Sequence, residues 1–177
     1  MNFVNRILLT YWKGLLKEID TYRESPLDVQ KRVLDYLISN GSETKFGQEH
    51  HIDAVCRYEE FRRRVPVRDY NAISPYIERV RHGEEFVLWN QKTPWYAKSS
   101  GTSADKSKFI PITPDNLKNC HYKGFQTLLA SYINTHQNSR LFYGKSLTLG
   151  GSVKPEESGG ISYYSGDLSA VLLQNSP

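Results

Sequence analysis

The spacing of apolar residues changes near residue 84, and that change limits the chain to a mixed α/β fold. Before it, Phe3, Ile7, Leu8, Tyr11, Trp12, Leu15 and Ile19 recur at helical intervals and predict an amphipathic helix. Ser25-Pro26 predicts the start of a second helix, with Asp28 in its first turn, Val29, Val33, Leu34, Leu37 and Ile38 as its apolar face, and Asn40-Gly41 as its stop. Residues 42–74 read as short helical turns and loop. Ser74-Pro75 predicts another helix start, and Gly83 its end. After residue 84, short aromatic or β-branched runs take over, and 86–89, 95–97, 109–112, 141–142 and 146–149 read as strands. Thr113-Pro114 opens a helix on which Leu117, Cys120, Phe125, Leu128 and Tyr132 share a face. Residues 154–166, rich in Gly, Ser and Glu, read as loop. The expected organisation is a helical part over 1–83 and the start of an α/β part over 84–177.

Composition removes several function classes. Of 177 residues, 38% are hydrophobic and 24% charged, as in an ordinary globular chain with a real core. The net charge of +4 is mild, and the one basic cluster, Arg57, Arg62, Arg63, Arg64 and Arg68, is offset by Glu59 and Glu60, so no nucleic-acid partner is expected. Cys56 and Cys120 are far apart, which predicts neither a disulfide framework nor a zinc site. His50 and His51 are adjacent and cannot share a helix face, so no metal site is expected there. Arg6, Lys13 and Lys17 interrupt the first apolar stretch. These features predict a cytoplasmic protein with no membrane partner.

One segment has the chemistry of a ligand loop. Between two expected strands lies Ser99-Ser100-Gly101-Thr102-Ser103-Ala104-Asp105-Lys106-Ser107-Lys108. A polyphosphate needs this combination. Glycine lets the backbone approach closely, successive N–H groups can form an anion-binding nest, hydroxyls donate further hydrogen bonds, and Lys106 and Lys108 neutralise charge. The pattern is not GxxxxGK[ST], GxGxxG or GxSxG. Composition alone equally describes a polar hairpin loop without a ligand.

The string SSGTSADKSKFIPIT, with TKFGQEH at 44–50, VPVRDYNAISPYIERVRHGEEFVLW at 65–89 and GGISYYSGDLSAVL at 159–172, resembles the Gretchen Hagen-type acyl-acid amido synthetases. This auxin-responsive promoter family is a branch of the adenylate-forming enzymes. The resemblance implies the N-terminal fragment of the large α/β domain of such an enzyme. It also implies a ligase that uses ATP and Mg²⁺ to convert a carboxylic acid to an acyl-adenylate and passes the acyl group to an amine, often an amino acid. By position, Ser99, Ser100, Gly101, Thr102 and Ser103 match the phosphate-binding loop, Lys106 is expected to assist it, and Lys108 matches the terminal, catalytic lysine. Asp105 and Lys106 depart from the plant-like pattern SSGTSxGExK and point to a divergent, bacterial branch. The family's later nucleotide motifs and its smaller C-terminal domain have no counterpart in the sequence, so the chain is expected to be cut short after residue 177 and inactive alone. An acyl-CoA or acyl-protein ligase of the same superfamily, or a non-catalytic binding domain that keeps the fold, remain alternatives.

Overall fold

The computed structural model describes residues 1–99 and 107–176. In chain order they form α1 (Phe3–Glu24), α2 (Pro26–Gly41), α3 (Lys45–Glu49), α4 (Tyr58–Arg64), α5 (Tyr70–Arg81), β1 (Trp95–Ser99), β2 (Lys108–Ile112), α6 (Pro114–Asn116), α7 (Lys123–Thr135), β3 (Val153–Ser158), β4 (Ile161–Gly166) and α8 (Leu168–Gln174). A π-helical stretch, Leu117–Tyr122, joins α6 to α7. The fold is mixed α/β, helices first and a sheet after them, as the change of period predicts.

Two compact units are present. The first combines Met1–Gln30 with Asn116–Leu149. Its core is Trp12 of α1 against Ala130 and Ile133 of α7, flanked by Leu8, Leu9, Leu15, Leu16 and Leu129. Asn2 caps α1 by accepting from the Asn5 amide at 2.9 Å. Its Nδ2 donates to the Ser139 carbonyl at 2.7 Å, and Asn5 donates to the Gln137 carbonyl at 3.0 Å, which ties the chain after α7 to the start of α1. The predicted apolar faces are split. Phe3, Ile7 and Tyr11 on α1, and Phe125, Leu128 and Tyr132 on α7, are exposed.

The second unit combines Lys31–Asp115 with the chain from Gly150 onward. Its four-stranded sheet has the order β2-β1-β4-β3. β1 is antiparallel to β2 and parallel to β4, and β3 and β4 form a hairpin. Ser158 pairs with Ile161, so Gly159-Gly160 is a two-residue turn, and both glycines have positive φ, as the tight turns favoured by twisted hairpins require. The expectation of a loop over 154–166 is therefore corrected to a hairpin. α5 covers one face of the sheet through Ile77, which is buried with Tyr96 and Tyr163. α8 packs on β1, β3 and β4 and buries Ala170 and Val171.

Three further expectations need correction. Residues 86–89 are not a strand, because the amides of Lys45 and Phe46 at the start of α3 donate to the Phe86 and Val87 carbonyls at 2.8 and 3.0 Å. Residues 141–149 are also not strands, and Leu141, Phe142, Leu147 and Leu149 are exposed. α5 starts one turn before Ser74-Pro75, because the Asp69 side chain caps it by accepting from Ala72 N at 2.9 Å. Pro75 has no N–H for the Asn71 carbonyl, and the Ser74 hydroxyl donates to that carbonyl instead, at 3.0 Å. Gly83 ends α5 as expected, with φ of 87°, Gly83 N donating to Val80 O and Glu84 N to Arg79 O.

Candidate functional site

The polar segment is carried on the β1–β2 stems. The ladder runs Trp95↔Ile112, Tyr96↔Pro111, Ala97↔Ile110, Lys98↔Phe109 and Ser99↔Lys108. Ser99 and Lys108 are thus the last pair, with Cα atoms within about 5.5 Å of one another. Ser99 is half-buried and Lys108 is exposed, its Nζ 5.6 Å from the centre of the Tyr70 ring. Ser100, Gly101, Thr102, Ser103 and Lys106 lie outside the described residues, as does Asp105.

β2 is an edge strand, and the Tyr70 hydroxyl covers that edge beside the last pair. It accepts from Phe109 N at 2.9 Å and donates to Phe109 O at 3.4 Å. An unpaired strand edge invites non-native pairing, and one phenol here satisfies both groups of one residue.

Because side chains alternate along a strand, Lys98 and Phe109 point to the face opposite Ser99 and Lys108. That face carries a charge network. Lys98 Nζ donates to Glu156 Oε1 on β3. Tyr163 OH donates to Glu156 Oε2 at 3.0 Å, and Ser165 Oγ donates to Oε1. Arg81 of α5 donates to Tyr163 OH and holds Glu78 with Nη1 at 2.7 and 2.9 Å. The Phe109 ring contacts two cations, its centre 3.9 Å from the Arg81 guanidinium carbon and 5.0 Å from Lys98 Nζ. Burial pushes the Glu156 carboxyl up, but the hydrogen bonds from Lys98, Ser165 and Tyr163 outweigh it, so the net displacement is below the usual carboxylate value. Burial holds the Tyr96 phenol, fully inaccessible beside them, well above its usual value.

Sequence reasoning missed this network, although one signal was available. With Tyr96 facing inward, period two also turns Lys98 inward, and an inward cation on a strand needs a buried partner.

A separate cavity of about 450 Å³ lies at the other end of the stems, lined among others by Phe86, Trp89, Pro94, Pro111 and Ile161. β1 separates it from Ser99 by about 13 Å, and neither Ser99 nor Lys108 lines it. Among the described residues, no cluster of three His, Cys, Asp or Glu side chains is placed to hold a metal ion. No helix among them is long and apolar enough to cross a membrane.

The fold of the described chain matches part of solved acyl acid amido synthetases. A solved acyl acid amido synthetase in complex with 2,4-DB, AtGH3.15, superposes over 94% of this chain and 28% of its own, with a TM-score of 0.78 at 21% identity. A second GH3.15 structure covers 92% of the chain with a TM-score of 0.73 at 20% identity. The GH3 family N-terminal domain matches residues 15–175, so the chain belongs to the GH3 family. Among curated relatives, indole-3-acetic acid-amido synthetase GH3.17 of Arabidopsis thaliana is 30% identical over 144 residues, 80% of this chain and 22% of that protein. The GH3.2 enzyme of the same plant is 30% identical over 103 residues, 58% of the chain and 19% of that protein. The chain thus spans about a fifth of the length of these relatives. They are plant proteins and lend no support to the bacterial origin drawn from Asp105 and Lys106.

Proposed function

We propose that this chain supplies the ATP-phosphate segment of an acyl acid amido synthetase. One observation carries the reading: β1 and β2 set Ser99 and Lys108, the two ends of the segment that begins with SSGTS, opposite each other, a hydroxyl on one stem and an ammonium on the other. A polyphosphate is bound by this kind of donor set. In the proposed reaction a carboxylate attacks the α-phosphate of ATP, pyrophosphate leaves, and an amine then displaces AMP from the acyl-adenylate to form an amide. Ser99, Ser100, Gly101, Thr102 and Ser103 hold the phosphates, Lys106 adds positive charge, and Lys108 stabilises charge on the leaving pyrophosphate. Magnesium enters with ATP, where phosphate and water oxygens supply most of its ligands. The names of the curated relatives, amido synthetases, favour an amine over a thiol as acyl acceptor.

The test is carboxylate-dependent exchange of labelled pyrophosphate into ATP by the protein that carries this chain, across aromatic and aliphatic acids. Exchange is expected with one class of acid. Lys108→Ala is expected to slow it by about 10²-fold while the fold stays intact. Exchange that is absent with every acid, or indifferent to Lys108, removes the proposal.

A further inference from the structure

We propose that Lys98, held by Glu156, is a positioning residue for the phosphate segment: it acts from the far face of the sheet and contacts no phosphate itself. The inference rests on the phosphate reading of the segment after Ser99. Lys98 is adjacent to Ser99 on β1, and its ladder partner Phe109 is adjacent to Lys108 on β2. Whatever fixes Lys98 and Phe109 therefore fixes both stems one residue from the ends of the segment.

Two linked sets of contacts do this. Lys98 is bound across the sheet to Glu156, which Tyr163 and Ser165 hold by two further hydrogen bonds. Phe109 carries both Lys98 and Arg81 against its ring, and Arg81 reaches the same carboxylate through the Tyr163 hydroxyl. Lys98 of β1 and Tyr163 and Ser165 of β4 thus bond directly to one carboxylate of β3, and Arg81 of α5 bonds to Tyr163. The pair is partly shielded, with the Lys98 and Glu156 side chains 35% and 28% exposed. In such a setting, removing Glu156 leaves Lys98 facing the Phe109 ring without its carboxylate, and removing Lys98 leaves Glu156 without its bonded cation. Lys98 is also the only cation that bonds directly to Glu156 among the described residues.

A merely structural ion pair would change stability and leave ligand affinity of the folded protein alone. A positioning pair changes the geometry of Ser99 and Lys108 and so changes affinity for polyphosphate. The test uses the protein that carries this chain, with magnesium–ATP and inorganic pyrophosphate as the probes, titrated by calorimetry at temperatures where each variant is folded by circular dichroism. Lys98→Met and Glu156→Gln are each expected to weaken both probes by roughly tenfold, or 1.4 kcal/mol. Lys98→Arg, which keeps the charge and the bond to Glu156, is expected to stay within about twofold. The exchanged pair, Lys98→Glu with Glu156→Lys, is expected to recover most of the loss. Lys154→Met, which removes an exposed cation from β3, controls for long-range charge and is expected to leave affinity within about twofold.

Equal affinity in Lys98→Met, Glu156→Gln and the wild type overturns the positioning role while the phosphate reading stands. A loss in Lys98→Met no larger than in Lys154→Met also overturns it, since net charge then explains the effect. A folded wild-type protein that binds neither probe overturns the phosphate reading and this inference with it.

Discussion

Glu156 accepts from Lys98, Tyr163 and Ser165 and is the most heavily bonded carboxylate on the sheet face that α5 covers. These bonds require the ionised form. The folded carboxyl accordingly holds its proton less tightly than the unfolded one. Between the two values the unfolded chain binds more protons, so stability rises with pH there and falls as pH drops through the folded value. Above the ordinary carboxylate pKa, about 4.3, the contribution is fully present. Urea midpoints measured from pH 7 down to about 3 are expected to decline in the wild type. Glu156→Gln is expected to be less stable at pH 7 and to show a shallower decline. A wild-type decline reproduced unchanged by Glu156→Gln would assign acid sensitivity to other carboxylates.

The end of α5 and the β3–β4 turn both depend on glycine, and the two meet: a Cβ at Gly83 would lie 2.6 Å from Ile161 Cγ1. Gly83 also has φ of 87°, where an L side chain is strained. Gly83→Ala is therefore expected to cost about 1–3 kcal/mol, read as a lower urea midpoint with an unchanged slope; a loss below experimental error would show that the turn relaxes freely. Gly83 was legible as a helix stop because the apolar period ends beside it. The true start of α5 was not, because a proline ordinarily excludes a helix interior, and only the position of the Ser74 hydroxyl shows how the Asn71 carbonyl is satisfied. Residues 86–89 have strand composition, but strand composition cannot say that the partner is the N-terminus of α3. The hairpin over 153–166 was hidden by its small polar residues, although Gly159-Gly160 before Ile161 was a turn signal. Of the candidate site, the two strands flanking the polar segment could be read from local pattern. The pairing of Lys98 with Glu156 could not, since it joins residues 58 apart through a strand order that sequence does not display.

The unit built from Met1–Gln30 and Asn116–Leu149 buries one face of each of its long helices and leaves apolar stripes on the others. Phe3, Ile7 and Tyr11 repeat at four-residue intervals on α1, and Phe125, Leu128 and Tyr132 follow helical spacing on α7; Tyr11 is 79% and Leu128 65% exposed. Leu147 and Leu149 are each 87% exposed. Single exposed apolar side chains are ordinary, but stripes of this kind are rare on a protein that stays monomeric in water. The solved relatives are longer, this chain covering 28% of each, so in them the equivalent surface has further polypeptide available to cover it. The 177-residue chain in isolation is therefore expected to bind an environment-sensitive hydrophobic dye and to associate as its concentration rises. Phe125→Ser combined with Leu128→Ser is expected to reduce both dye emission and association. Melting temperature should change by no more than about 2–4 °C, because exposed side chains contribute little to folding. Sedimentation velocity across a concentration series, with dye titration beside it, distinguishes the outcomes. Unchanged association in the double variant would move the sticky surface to α1 or to 141–149, and a large loss of stability would mean that the α7 stripe packs in solution.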